Sequence, residues 1–156
     1  MKNILITIIA ALLVVGCGGS PKDILEAGES GNIEAIKKHL TDGADVNSKN
    51  NVGQTPLHEV AGRGHNKEVA ALLITAGADV NAKDNYGMTP LHYTAAFSGH
   101  KEIAELLIAK GANMNTKNAE NKTPLDSAIQ RKLTEIADLL RKHGGKRGAE
   151  LKAEGK

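Results

Sequence analysis

The chain has 156 residues, enough for one domain, with a formal net charge of +2, 2% aromatic residues and no tryptophan. Near-neutral charge excludes a surface built for nucleic acid or an acidic membrane face. Scarce rings argue against a core built on large side chains and favour stacked helical hairpins, which can bury leucine, isoleucine and alanine alone. The single cysteine, Cys17, excludes an internal disulfide.

The N-terminus stands apart. Met1-Lys2-Asn3 supplies a positive start, and Ile4 to Val15 is apolar except for Thr7. A membrane-spanning helix needs roughly 20 apolar residues, so this run has the length of a signal-peptide core instead. It ends in Val14-Val15-Gly16-Cys17, which resembles the lipobox of bacterial lipoproteins, with valine at position 14 where leucine is commoner. That resemblance implies a signal peptide at 1–16 that is cleaved, lipid on Cys17, and a lipidated linker over 17–21. The competing reading is an incidental thiol after an ordinary signal peptide. A multi-chain lipid anchor holds stably where one chain would not. Gly18-Gly19-Ser20 reaches about 10 Å, which would keep the first repeat close to the bilayer. Since Gly18 is not acidic, the lipoprotein resemblance implies the periplasmic face of the outer membrane rather than the inner membrane. An uncleaved anchor with the rest of the chain in the cytoplasm stays open, because Lys2 is cytoplasmic in either case.

From Lys22 onward the chain is an array. Gly53-Gln54-Thr55-Pro56-Leu57-His58 returns as Gly87-Met88-Thr89-Pro90-Leu91-His92 and, altered, as Lys122-Thr123-Pro124-Leu125-Asp126, with the threonines 34 residues apart. A second phrase keeps step: Gly43-Ala44-Asp45-Val46-Asn47, Gly77-Ala78-Asp79-Val80-Asn81 and Gly111-Ala112-Asn113-Met114-Asn115. The threonine hydroxyl suits a helix N-cap and proline suits the first helical position. Leu57, Leu91 and Leu125 begin the buried face. Gly43, Gly77, Gly111 and Gly144 fall where a left-handed residue closes a helix, and Gly31, Gly64 and Gly99 mark the turn inside each hairpin.

These phrases resemble the ankyrin repeat. The resemblance implies an all-α solenoid of about four stacked helical hairpins with connecting β-turn loops, over residues 22–145 (repeats about 22–54, 55–88, 89–122 and 123–145). Two units exceed the family's usual length by one residue, near Asn66-Lys67 and near Tyr93-Thr94, and both read as tolerated lengthenings close to the turn between helices. Repeat one lacks Thr-Pro-Leu-His and carries Lys38 and His39 where later units have leucines, so it reads as the N-terminal cap. Repeat four, with Arg141 in place of Ile74 and Ile108, reads as the C-terminal cap. Residues 146–156 mix glycine, lysine, glutamate and alanine and read as a flexible polar tail, with a weak basic contact through Lys146 and Arg147 as the alternative.

Chemistry is sparse. His58 and His92 repeat one position, for which the family resemblance implies hydrogen bonds to neighbouring turns. His65 and His100 follow turn glycines, while His39 and His143 lie at helix ends. No cysteine pair or His-Glu-x-x-His spacing offers a metal site, no serine sits in a nucleophile elbow, and no phosphate-binding loop is present. The chain is therefore expected to be non-enzymatic, with no cofactor and no metal.

What remains is a surface. The resemblance implies a concave face of loop tips and first helices that binds another protein. Positions where the repeats disagree are the candidates: Asn51, Val52, Asn85, Tyr86, Met88, Glu120 and Lys122 at the tips, and Glu59, Arg63, Tyr93 and Phe97 on the first helices. Tyr86 reads equally as a partner anchor and as packing against its neighbouring loop, whereas Phe97 reads first as core. The expected function is a monomeric protein-binding module in the cell envelope, a scaffold, regulator or protector of another envelope protein. Its rivals are an antitoxin-like inhibitor that blocks an enzyme, and an enzyme working on the concave face.

Overall fold

The Thr-Pro pairs start helices as their chemistry requires. Thr55, Thr89 and Thr123 are extended, and the prolines after them open helices whose first turn has no use for the missing N–H. The computed structural model describes residues 21–155. They form α1 (Pro21–Ser30), α2 (Ile33–Thr41), α3 (Pro56–Arg63), α4 (Lys67–Thr75), α5 (Pro90–Tyr93), α6 (Lys101–Ala109), α7 (Pro124–Gln130), α8 (Thr134–Lys142) and α9 (Gly148–Ala153). A π-helical turn, Thr94–Ser98, continues α5. Among the described residues there is no strand and no helix long and apolar enough to cross a membrane. The expected signal peptide, Cys17 and most of its linker lie outside the described residues.

Successive pairs make four hairpins that stack in chain order, first helix on first helix and, from α4 onward, second on second. This is the all-α solenoid expected. Each hairpin turns through a left-handed residue: Gly31, Gly64 and Gly99 at φ 66°, 67° and 66°, and Lys132 at 60°. The core is two columns of aliphatic side chains, Leu57, Leu91 and Leu125 from the first helices and Leu73, Leu107 and Leu140 from the second, all buried. In the first hairpin His39 takes the register of Leu73, and its Nδ1 is buried without a hydrogen-bond partner. Lys38 beside it is exposed and paired with Asp42 at 2.7 Å.

Two polar ladders lock the repeats together. The Thr55 amide donates to His58 Nδ1 at 3.1 Å, and the Thr55 hydroxyl faces that same nitrogen rather than capping the helix. Nδ1 is thus an acceptor, so Nε2 carries the proton and donates at 3.1 Å to the Met88 carbonyl, just before the Thr89 that opens the next repeat. His92 repeats this with Thr89 and the Lys122 carbonyl. The asparagines form the second ladder. Asn47 Oδ1 accepts from the Asp79 amide at 2.8 Å and its Nδ2 donates to the Gly77 carbonyl at 3.1 Å. Asn81 joins Asn113 and Gly111 in the same way, and Asn115 joins Lys146 and Gly144.

Two expectations need correction. Only the longer second repeat lengthens at its hairpin turn, through Gly64-His65-Asn66, where Asn66 becomes the N-cap of α4. In the third repeat the surplus residue enters the first helix as the π-turn, because Thr89 and left-handed Gly99 fix both ends. The expected flexible tail is also ordered through residue 155. Lys146, Arg147 and Gly148 bond to Asn115, Asp126 and Thr123, and Leu151 of α9 is 5% exposed. Repeat four offers the Asp126 carboxylate, which this segment reaches through Arg147 and Gly148.

Candidate functional site

Two of the three aromatic residues of the chain, Tyr93 and Phe97, belong to the third repeat, and Tyr86 stands on the loop tip that leads into it. Gly62 of α3 makes room for Tyr93, since a Cβ there would come 2.9 Å from the ring. Tyr93 consequently stands edge-on to His58 at 5.2 Å between centroids. Its hydroxyl donates to Asp84 Oδ2 at 2.7 Å and accepts from Gln54 Nε2 at 2.8 Å. Burial and the Asp84 carboxylate push this hydroxyl above the ordinary tyrosine range, so it remains a donor. Phe97 leans on Tyr93 at 5.3 Å, and the Arg131 guanidinium lies 5.8 Å from the Phe97 centroid. Ring contacts thus run from the second repeat through the third to the fourth.

Phe97 lies on the π-turn. The sequence places it first in the core, but the residue is 57% exposed. Ala95 fills the core instead, and Phe97 stands on the surface, as Gln130 does at the matching position of α7. Beside it opens a cleft of about 210 Å³, bounded by Met88, Phe97, Glu120, Lys122, Gln130 and Arg131 among others. Lys122 bridges Glu120 at 2.6 Å and donates to Gln130 at 3.1 Å. This contact holds the Glu120 carboxyl below the usual carboxylate range.

The structure therefore gathers four of the sequence candidates, Met88, Phe97, Glu120 and Lys122, around one cleft, with Tyr93 bracing it from behind. Tyr86 and Val52 lie on the loop tips, 59% and 38% exposed. The tips are tied edge to edge: the Val52 carbonyl accepts from the Asn85 amide, the Asn51 carbonyl from Asn85 Nδ2, and the Tyr86 carbonyl from the Ala119 amide. Asp84 Oδ1 orders its own tip by accepting from the Tyr86 and Met88 amides at 2.8 and 2.9 Å. Glu59 and Arg63 stand apart on α3, where Arg63 pairs with both Glu59 and Glu29 of α1. Sequence reasoning missed Arg131 and Gln130. Both occupy positions where the repeats differ, matching Ser98 and Phe97, so the criterion that chose the other candidates also selects them.

The histidines are tied into the stack. Burial lowers the pKa values of His58 and His92 against the backbone contacts that favour charge. His65 Nε2 meets the Glu29 carbonyl at 2.6 Å, whereas His100 Nδ1 meets the Ser98 carbonyl within its own repeat. Among the described residues no group of three or more His, Cys, Asp or Glu could hold a metal ion.

The family model described as "Ankyrin repeats (3 copies)" matches residues 24–118 and, in a second register, 72–153. No curated protein matches the chain.

Proposed function

The chain belongs to the ankyrin-repeat family, and on that premise we propose that it is a non-catalytic protein-binding module held in a bacterial cell envelope. There it acts as scaffold, regulator or protector of another envelope protein. The observation that carries this reading is the exposure of Tyr86 on the loop tip before the third repeat and of Phe97 within that repeat. Large apolar rings left in water beside a cleft are anchors for a partner, since they lose little rotamer freedom when covered. The loop tips and first helices that present them are rigid, tied by carbonyl–amide and histidine contacts between repeats.

The envelope half of the proposal rests on the sequence of residues 1–17, whose apolar run and Val14-Val15-Gly16-Cys17 fit a lipoprotein signal. Lipid on Cys17 would place the first repeat close to the bilayer, on the periplasmic side.

The test is an in-cell crosslinking pull-down of the wild type and Cys17→Ala from the native host, with fractionation and intact-mass analysis. Lipid on the wild type, an envelope location lost on Cys17→Ala, and one dominant crosslinked envelope protein are expected. Identical fractionation of the two forms with no lipid on the wild type would remove the anchor. Absence of any crosslinked protein, including through photoreactive residues placed at Tyr86 and Phe97, would remove the binding module.

A further inference from the structure

We propose that the cleft beside the π-turn receives a short acidic segment of the partner protein, with an apolar side chain on the exposed part of the Phe97 ring and a neighbouring carboxylate on Arg131. This deepens the protein-binding reading and rests on it.

Three observations lead to this occupant. The first is size. At about 210 Å³ the cleft is smaller than the 300–1,000 Å³ common for small-molecule sites. It suits one or two side chains of an extended segment. The second is charge. Arg131 and Lys122 face a single carboxylate, Glu120, which Lys122 already holds at 2.6 Å. Arg131 has no carboxylate partner among the described residues, and its one assigned contact is with the Phe97 ring. A guanidinium stacked on a ring keeps its planar edge of N–H donors for a carboxylate, which it can grip through two parallel hydrogen bonds. A basic segment would meet the opposite situation, with two cations to repel it and the one carboxylate of the lining already taken by Lys122.

The third observation is preorganisation. Phe97 is braced by Tyr93, whose ring contacts His58 and whose hydroxyl is fixed between Asp84 and Gln54. Ring and guanidinium are in place before the segment arrives, so little ordering remains to be done on binding. The π-turn carries this ring where the flanking repeats have Gly62 and Gln130 on regular helices, so the braced ring is particular to the third repeat.

The experiment selects a displayed random peptide library on the full-length chain. Synthetic versions of the enriched peptides are then titrated by fluorescence anisotropy against wild type, Phe97→Ala, Arg131→Glu and Arg131→Lys. Both side chains are exposed, and superimposable thermal melts would show that the variants stay folded. Enriched peptides should carry Asp or Glu within a few residues of Leu, Ile, Met or Phe. Phe97→Ala and Arg131→Glu should each weaken them about tenfold, with a smaller loss in Arg131→Lys, which keeps charge but not the bidentate fork. Peptides with Lys in place of the acid should bind Arg131→Glu better than wild type. Enriched peptides without acidic residues, or acidic peptides that bind Arg131→Glu undiminished, would overturn this inference and leave the protein-binding reading standing. Failure of the library to yield any binder, joined with an empty crosslinking experiment, would sink both.

Discussion

Two buried histidines tie the second, third and fourth repeats together, and their protonation state follows from their partners. An amide N–H points at Nδ1 of each, so a second proton there would face a donor and have only the threonine hydroxyl, 2.9 Å away, as acceptor. Burial acts first and in the same direction, and both pKa values lie below the ordinary 6.5. The unfolded chain therefore takes up protons before the native one as pH falls. Stability should be level above about pH 6.5, then decline by up to about 1.4 kcal/mol per histidine for each pH unit until the folded values are reached. Urea melts at pH 8, 7, 6 and 5 read this directly. A flat profile down to pH 5 would show that the rings charge as easily inside the stack as outside it. Lys132 makes the opposite kind of residue-scale case. It holds the left-handed turn (φ 60°) that glycine holds in the other three hairpins. A left-handed conformation costs an L-residue roughly 1–2 kcal/mol, and glycine carries its own entropy loss, so Lys132→Gly should stabilise by about 0.5–1 kcal/mol. An unchanged or lowered Tm would mean that the lysine makes a compensating contact.

At the scale of elements, one surplus residue has two outcomes. In the second repeat it falls after Gly64, in a turn, and α3 stays a regular helix with Asn66 as the new cap of α4. In the third it falls between Thr89 and Gly99, and the helix absorbs it as a π-turn. Deleting Ala96 should restore a regular helix, keep Tm within a few degrees and separate Phe97 from Tyr93. Peptide binding at the cleft should then be lost from a protein that is as stable as before. Loss of folding would instead show that the neighbouring repeats have adapted to the π-turn. The sequence shows where the surplus lies, because the Thr-Pro and Gly-Ala phrases frame it. It does not show the outlet, which depends on whether a cap or an open turn follows. Phe97 reads as core by its bulk, yet its counterpart Gln130 is exposed on a regular helix, so comparing the repeats position by position would have placed it on the surface. Arg131 was legible only by comparing repeats position by position, since nothing local distinguishes it from a solvated arginine.

The whole molecule is a short stack whose last unit is closed by a segment outside the repeat. His58 and His92 each reach forward to a following turn, but the fourth repeat has Asp126 at that position. Burial alone would raise the Asp126 carboxyl. Hydrogen bonds from the Gly148 and Thr123 amides, from Arg147 and from the Thr123 hydroxyl outweigh it and hold the group below the usual carboxylate range. Asp126 thus replaces a donor aimed at the next repeat with an acceptor that captures the chain coming back. Asn115 completes the capture by accepting from the Lys146 amide at 2.8 Å, and the Thr123 hydroxyl donates to the Lys146 carbonyl at the same distance. The period could not reveal this, because Leu151 has no counterpart in it. Removing residues 146–156 strips those hydrogen bonds, each contributing about 1 kcal/mol net, and the burial of Leu151, about 1.5–3 kcal/mol. A loss of about 5–7 kcal/mol is expected, with Leu151→Asp alone giving about 2 kcal/mol. In a linear stack each repeat leans only on its neighbours, so the loss should not spread evenly. Amide exchange should rise first in α7 and α8 and least in α3 and α4. Uniform loosening of all four hairpins would mean that the stack unfolds as one unit, and an unchanged Tm would mean that α9 rests on the stack without holding it.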